Sequence, residues 1–304
     1  MTNKRFWQTG WFPGLFICIL FFMAGWTGFV STLEWQAYGL GARLSPAPET
    51  KNNLEVIAID EASLQQLGEW PWPRSYLGVV IKQLNKHGAR TAGLALPLHT
   101  PQSEFGIKRL DSMRDTYDGK YEKTVKEILF LARQRLDTDG ALAASLKRFR
   151  QPVLAISYGL NNDIQRGSAA TSQQTLESYA FSDFPAESTD WSSFVPSVLT
   201  NGIPEITQAQ APIPLLAKYS AAGMLDESAT GKRSSLVTPL VLKFGDQHYP
   251  SFSLMFAAAS LKVETDDIII NPGQDITLGG IQLYTDPSYR VYPHIYHSTD
   301  NNPA

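Results

Sequence analysis

A long stretch without charge near the amino terminus constrains this chain more than any other feature. No Asp, Glu, Lys or Arg occurs between Arg5 and Glu34, and residues 11–33 read WFPGLFICILFFMAGWTGFVSTL. As a helix this stretch would rise ~35 Å, enough to cross a hydrocarbon core of roughly 30 Å. The pattern therefore predicts one transmembrane helix, Trp11–Leu33.

The charges that flank this segment predict its orientation. Lys4 and Arg5 precede it and Glu34 follows it, so the positive-inside rule keeps residues 1–10 in the cytoplasm and translocates the rest of the chain. A cleaved signal peptide is the alternative, but it needs an apolar core of about 7–15 residues and a small-residue cleavage site. No clean site of that kind is present, so we expect an uncleaved anchor.

Composition excludes several classes of protein and site. The 304-residue chain has 26 Lys+Arg and 29 Asp+Glu, a formal net charge of −3, which argues against a nucleic-acid partner. With 43% hydrophobic and 18% charged residues, the balance is that of a globular protein. Cys18 is the single cysteine, which rules out an internal disulfide and a metal site built on several thiolates.

The remainder divides into a spacer and one folded domain. Residues 34–51 end in a Pro-containing stretch and are predicted to be a juxtamembrane spacer, and residues 52–304 form the domain. Leu54–Ile59 (LEVIAI) is a short apolar run that predicts a buried strand. A helix capped by Ser75 and ended by Gly88 follows, and Ala89–Leu98 predicts a second strand. Together they predict a parallel, right-handed βαβ unit.

The later segments predict helices followed by short strands. Residues 103–150 show the spacing of amphipathic helices with a break at Asp118-Gly119, residues 151–160 read as a third core strand, and Asn161–Asp190 reads as a polar insertion with little structure. Beyond Ala221 we expect short strands, one helix over Leu254–Leu261 and a hairpin turn at Gly279-Gly280. The fold class is therefore α/β: a mixed sheet with a parallel βαβ core, flanking helices and antiparallel C-terminal strands, preceded by one transmembrane helix.

One segment resembles a known family. Residues 56–98 read VIAIDEASLQQLGEWPWPRSYLGVVIKQLNKHGARTAGLALPL, and the I-D-x-x-S-L pattern followed by W-P-W-P-R-S is the specific part. This stretch is similar to the opening of a CHASE2 domain, the extracytoplasmic sensory module of bacterial transmembrane receptors. Weaker similarity continues in Asp139–Tyr158, Ala222–Ala258 and Ile281–Asp286.

The resemblance implies a location and an architecture. The main domain would be periplasmic or extracellular, anchored in the bacterial inner membrane. Members of the family commonly continue into further membrane helices and a cytoplasmic kinase or nucleotide or diguanylate cyclase, so we expect this chain to be the sensing portion of a longer receptor. At Ala95, where the family commonly carries an acidic residue, this sequence is apolar, so a carboxylate role there is lost.

Two positions are candidates for ligand binding because of their place relative to the predicted strands. Ligands of open α/β sheets bind beyond the carboxyl ends of the strands, which would bring Asp60, just past the first strand, near His99, just past the second. Asp60 could face a pocket and fix a polar or cationic ligand. We favour its structural alternative, a cap for a helix over Glu61–Leu67.

The W-P-W-P-R-S block supplies the other candidates. Its two prolines fix the backbone and hold Trp70, Trp72 and Arg74 in a set relative geometry, which could clamp a ligand. The favoured alternative is a structural lock at the start of the second helix, with Arg74 paired to a carboxylate such as Asp60 or Glu61. Lys232 and Arg233 could contact an anion, although a solvated loop is the better interpretation.

Known catalytic patterns do not match. Gly231-Lys232 lacks the upstream glycine and the following hydroxyl residue of a phosphate loop, since Asp226 and Arg233 occupy those places. His294 and His297 lie three apart in a predicted strand and would point to opposite faces, so they make a poor metal pair. We expect no enzyme activity in this portion, no cofactor and no metal.

These observations lead to a sensory input module that binds an unknown extracytoplasmic ligand or partner and transmits its state through membrane helices. The alternative is a structural or dimerisation domain of a membrane complex without a small-molecule ligand. In either case a homodimer is a candidate assembly. Its contacts would lie on the helices of residues 103–150, although an exposed, solvated face is the favoured interpretation of those helices.

Overall fold

The structure is a computed structural model that describes residues 14–19, 41, 53–102, 104–119, 121–159, 174–185, 202–226, 238–272, 274–286 and 288–291. The chain forms two compact units, one of residues 1–56, 188–202 and 292–304, the other of residues 57–187 and 203–291. Residues 14–19 are helical, and the rest of the predicted membrane span lies outside the described residues. Among the described helices, none has the length and apolar character needed to cross a bilayer.

The second unit contains helices and strands in mixed order. The helices are α1 (Glu61–Leu67), α2 (Arg74–Lys86), α3 (Glu104–Thr116), α4 (Glu122–Leu136), α5 (Thr138–Leu146), α6 (Pro214–Ala217) and α7 (Phe252–Leu261). The strands are β1 (Ala92–Leu94), β2 (Pro152–Gly159), β3 (Gln208–Gln210), β4 (Ala221–Asp226), β5 (Thr238–Pro239), β6 (Val241–Phe244), β7 (Gln247–Pro250), β8 (Ile269–Asn271), β9 (Asp275–Leu278), β10 (Ile281–Tyr284) and β11 (Arg290–Val291). The predicted α/β class is confirmed.

Strand β2 is the centre of the main sheet. It pairs in parallel with β1 and with β4, and antiparallel with β3 near its carboxyl end. The β1–β2 connection passes through α3, α4 and α5, so a parallel crossover core is present, although it joins other strands than the predicted βαβ unit. The third predicted strand, residues 151–160, is thus confirmed as the best-paired strand of the sheet.

Side chains alternate along β2 and build a core on each face. Leu154 and Ile156 are fully buried on the face covered by α2 and α5, where they join Leu142 and Leu146. Val153 points to the other face and packs with residues of α7 such as Leu254. Successive residues of a strand face opposite sides, so this sequence of bulky apolar residues suits a sheet covered by helices on both faces.

The predicted first strand is wrong. Residues 53–60 form no strand and are exposed throughout, with Val56 82% and Ile57 62% accessible. An apolar, β-branched run becomes a strand only when a neighbouring strand accepts its backbone hydrogen bonds, and no described strand pairs with this segment. The observed parallel pairs are β1–β2 and β2–β4 instead.

The C-terminal strands form small antiparallel sheets, as predicted. Strand β9 pairs with β8 and β10, and Gly279, with φ of 60°, occupies the β9–β10 turn. The insertion prediction for residues 161–190 needs a correction in its described part. Residues 174–177 form a helical turn, and Leu176 and Phe181 are buried in the core, because this polar stretch carries a few apolar side chains that pack against the sheet.

Candidate functional site

Arg74 forms a buried junction between three parts of the fold. It is the first residue of α2, and its Nη1 donates to Asp139 Oδ1 at 2.5 Å while its Nη2 donates to the Thr100 carbonyl at 2.6 Å. Both charged side chains are 8% accessible. Asp139 lies in the first turn of α5, where the helix dipole also favours a negative charge. The proposal that Arg74 pairs with Asp60 or Glu61 is therefore wrong, because the fold brings Asp139 to it.

Gln102 completes this junction with its backbone and its side chain. Its backbone N–H donates to Asp139 Oδ2 at 2.9 Å, and its Oε1 accepts from the backbone N–H of Arg74 at 2.8 Å. Its Nε2 donates to the Trp72 carbonyl at 2.9 Å. These bonds tie the start of α2, the loop after β1 and the start of α5 together. Because the charges of Arg74 and Asp139 neutralise each other here, the geometry matches the structural lock.

The two tryptophans of the W-P-W-P-R-S block differ in role. Trp72 is buried, and its indole N–H donates to the Gly68 carbonyl at 2.8 Å. Trp70 is 41% accessible, with its ring edge-on to Trp72 at a centroid distance of 5.9 Å. Trp72 therefore belongs to the packing at the start of α2, and Trp70 is the member of the pair that a ligand could reach.

Asp60 acts as a helix cap. Its Oδ1 accepts from the backbone N–H of Ser63 at 2.8 Å and from the Ser63 hydroxyl at 2.6 Å. The hydrogen bond from the Ser63 side chain, with that from its backbone, lowers the pKa of this exposed carboxyl below its ordinary value. The favoured interpretation, a cap for Glu61–Leu67, is confirmed with those bounds.

His99 lies on the loop after β1 and is half-buried. The argument that placed it near Asp60 required two adjacent strands, and the strand before Asp60 is absent, so that argument fails. Lys232, Arg233, His294 and His297 lie outside the described residues. Within the described ranges, His, Cys, Asp and Glu side chains form no group suited to hold a metal ion.

A cleft at the amino ends of β1 and β2 was not predicted from the sequence. It has a volume of about 660 Å³ and lies where β1, β2 and α7 approach one another, lined by Arg90, Arg150 and Lys262 together with Asn85, Gln151 and Ser260. Its three cations come from segments far apart in sequence, so no local sequence motif predicts the cleft. The available signal was the lack of any carboxylate in residues 75–103, 140–162 and 251–263, each of which contains basic residues.

Comparison with known proteins identifies one family. The family model described as CHASE2 domain matches residues 15–301. Neither the search of curated proteins nor that of solved structures gives a match. The match extends over nearly the whole chain, including both the junction at Arg74 and the cleft at Arg90.

Proposed function

Because the chain belongs to the CHASE2 family, whose members are extracytoplasmic sensory domains of signalling receptors, we propose that it is the sensory input module of a bacterial membrane receptor. Trp11–Leu33 anchors it in the inner membrane, and the domain after the spacer faces the periplasm or the exterior. It binds a ligand or partner there and passes its state through membrane helices to a cytoplasmic kinase or cyclase. In this proposal the sensory portion of the receptor has no catalytic role.

The family match is the observation that carries this proposal. It begins at residue 15, within the apolar stretch, so residues 15–33 of the stretch and the folded domain fall within one matched segment. A ligand would bias such a receptor only by its differential affinity for two states, and a hundredfold preference supplies about 2.7 kcal/mol. The rigid junction at Arg74 would keep α2 and α5 moving together when that bias is applied.

Cysteine labelling in intact cells tests the topology. In a Cys18→Ser background, Gln65→Cys places a thiol at an exposed position of α1. We expect it to react with a membrane-impermeant maleimide before cells are opened, whereas Asn3→Cys should react only after permeabilisation. If Gln65→Cys is labelled only in permeabilised cells, the receptor proposal fails.

A second candidate, a dimerisation domain, is supported by the α3–α4 hairpin. No residue of α4 is buried, although the helix carries Ile128, at 59% accessible, and Leu131, at 51%. Arg133 of α4 donates to Asp111 of α3 at 3.1 Å, whereas the ion pair of Lys126 and Glu122 lies within α4. A two-helix hairpin of this kind buries little apolar surface alone, so a further partner would stabilise it.

Charge complementarity points to a second copy of this chain as that partner. At 100° per residue, Glu127, Ile128, Leu131 and Arg135 fall within an arc of about 100° on α4. Antiparallel packing of two α4 helices about a two-fold axis at Leu131 would place Glu127 opposite the partner's Arg135 twice, with the apolar pair in between. Isologous contacts of this kind are the commonest route to a dimer.

Charge exchange tests this interface. Glu127→Arg and Arg135→Glu should each weaken dimerisation of the detergent-solubilised full chain by roughly tenfold, because each brings like charges together. The double variant E127R/R135E should restore it. Sedimentation velocity gives the dimer fraction. A monomeric wild type, or single variants that dimerise as well as wild type, would exclude this contact.

A further inference from the structure

The cleft near Arg90 has an excess of positive charge that its structural surroundings do not balance. Helices α2, α5 and α7 end at Lys86, Leu146 and Leu261, and each leaves about half a negative charge at its carboxyl terminus. Six cations lie at these ends or within four residues after them: Lys86, Arg90, Lys147, Arg148, Arg150 and Lys262. The helix dipoles therefore account for only part of the cations.

Carboxylates do not neutralise the remainder. Within the described part of the chain, none of the six cations forms an ion pair. Segments 75–103 and 251–263 contain no Asp or Glu, and neither does 140–162. Although the chain has a net charge of −3, its electrostatic potential is therefore positive around the cleft.

The loops that bear the cations are held by hydrogen bonds. The Thr91 hydroxyl donates to the Gln151 carbonyl at 2.6 Å, which joins the loop of Arg90 to that of Arg150. Gly88, with φ of 81°, forms the turn after α2, and the Ala89 N–H donates to the Leu84 carbonyl at 3.0 Å. Lys262 caps α7 in the left-handed conformation, with φ of 62°. The backbone positions of the three cations are therefore set before any ligand binds.

We propose that this cleft binds the phosphate group of an anionic ligand. Guanidinium groups present planar pairs of N–H donors that match phosphate oxygens, and a lysine adds a compact charge. Three cations from three segments suit an anionic group that offers several acceptor oxygens. A phospholipid headgroup and free phosphate share this chemistry. The proposal goes beyond the receptor function, since it does not depend on how the domain faces the membrane.

Titration calorimetry on the detergent-solubilised full chain tests the proposal. Inorganic phosphate is one probe, and dihexanoyl phosphatidylglycerol below its micellar concentration is the other, with dihexanoyl phosphatidylcholine as the lipid control. We expect Arg90→Gln and Arg150→Gln each to weaken binding about tenfold, because each loses a charge-assisted contact. Arg109→Gln, on α3 and away from the cleft, should bind like wild type.

Each outcome of the calorimetry either supports or overturns the phosphate site. Binding of inorganic phosphate that depends on Arg90 and Arg150 supports the site with free phosphate as a source, and the same dependence with phosphatidylglycerol alone supports a lipid source. Absence of binding by both probes overturns it, as does binding that is equal in wild type and both arginine variants. Unchanged melting of the variants without ligand verifies their folding. Cytoplasmic labelling of Gln65→Cys would refute the receptor and leave this site standing.

Discussion

Removing Arg74 should be among the most damaging single changes to the stability of this domain. The guanidinium and its partner Asp139 are each 8% accessible, so Arg74→Met leaves a buried carboxylate without its counter-charge. Breaking a buried pair in this way costs about 3–5 kcal/mol. For a domain of this size, 1 kcal/mol corresponds to about 2–4 °C in Tm, so the expected decrease is roughly 6–20 °C.

A double-mutant cycle separates the charge effect from the packing. Arg74→Met with Asp139→Leu removes both charges, and it leaves the Gln102 N–H and the Thr100 carbonyl without the side chains that they bond in the wild type. Thr100 and Gln102 are exposed residues, so water can replace these two bonds, and the double variant should be more stable than Arg74→Met alone. Exposed Arg109→Met is the control and should stay within about 0.5 kcal/mol of wild type.

Urea denaturation of the detergent-solubilised full chain, followed by circular dichroism, provides the four free energies of the cycle. The argument requires a favourable coupling between the two side chains. If the double variant loses the sum of the two single losses, Arg74 and Asp139 stabilise the fold independently, and the junction is not the lock described above.

Three further changes test other parts of the structure. Asp60→Asn should lower stability modestly at neutral pH, and because the folded pKa is lowered, the contribution of Asp60 should vanish as pH falls through that pKa; unchanged melting with altered signalling would contradict the cap. Gly223→Ala should cost about 1–3 kcal/mol in urea denaturation, since its Cβ would lie 2.6 Å from the Ser251 carbonyl oxygen, whereas Gly202→Ala meets open space. Burial, with a smaller effect of a nearby aspartate, raises the pKa of Tyr158 to about 12. Stability should therefore fall as pH rises above the unfolded value of about 10. Burial also raises the pKa of Tyr179 and Tyr249 to about 12, so an ultraviolet titration should lose one tyrosine's share of its latest component in Tyr158→Phe.

Local patterns predicted the elements whose partners are close or whose burial is complete. Strand β2 is mostly apolar because both of its faces are covered, and the β9–β10 hairpin follows from two adjacent glycines. The cap at Asp60 required only the three-residue distance to Ser63. Each of these features depends on neighbours within a few residues or on uniform burial. The local pattern of apolar and polar residues indicates both.

Features that depend on distant partners could not be predicted in this way. Arg74 bonds to Asp139, which lies 65 positions away in the sequence. The residues around Arg74 give no reason to choose Asp139 over carboxylates that are nearer in sequence. Leu54–Ile59 has the composition of a buried strand, yet it is exposed because pairing is decided by the available edges of the sheet. The cleft is lined by Arg90, Arg150 and Lys262. That these residues lie close together can be deduced only when the strand order is known.

The contrast between Arg74 and the cleft arginines distinguishes a structural cation from a binding one. The Arg74 guanidinium is buried and bonded to a carboxylate and a carbonyl, so its loss should appear as lost stability with no ligand present. Arg90 and Arg150 are exposed, and no described carboxylate pairs with them, so the folded state gains little from their charge. Their replacement should leave melting unchanged and alter only ligand affinity. A large loss of stability in Arg90→Gln would mean that its charge stabilises the fold. The argument that the cleft binds a ligand would then fail.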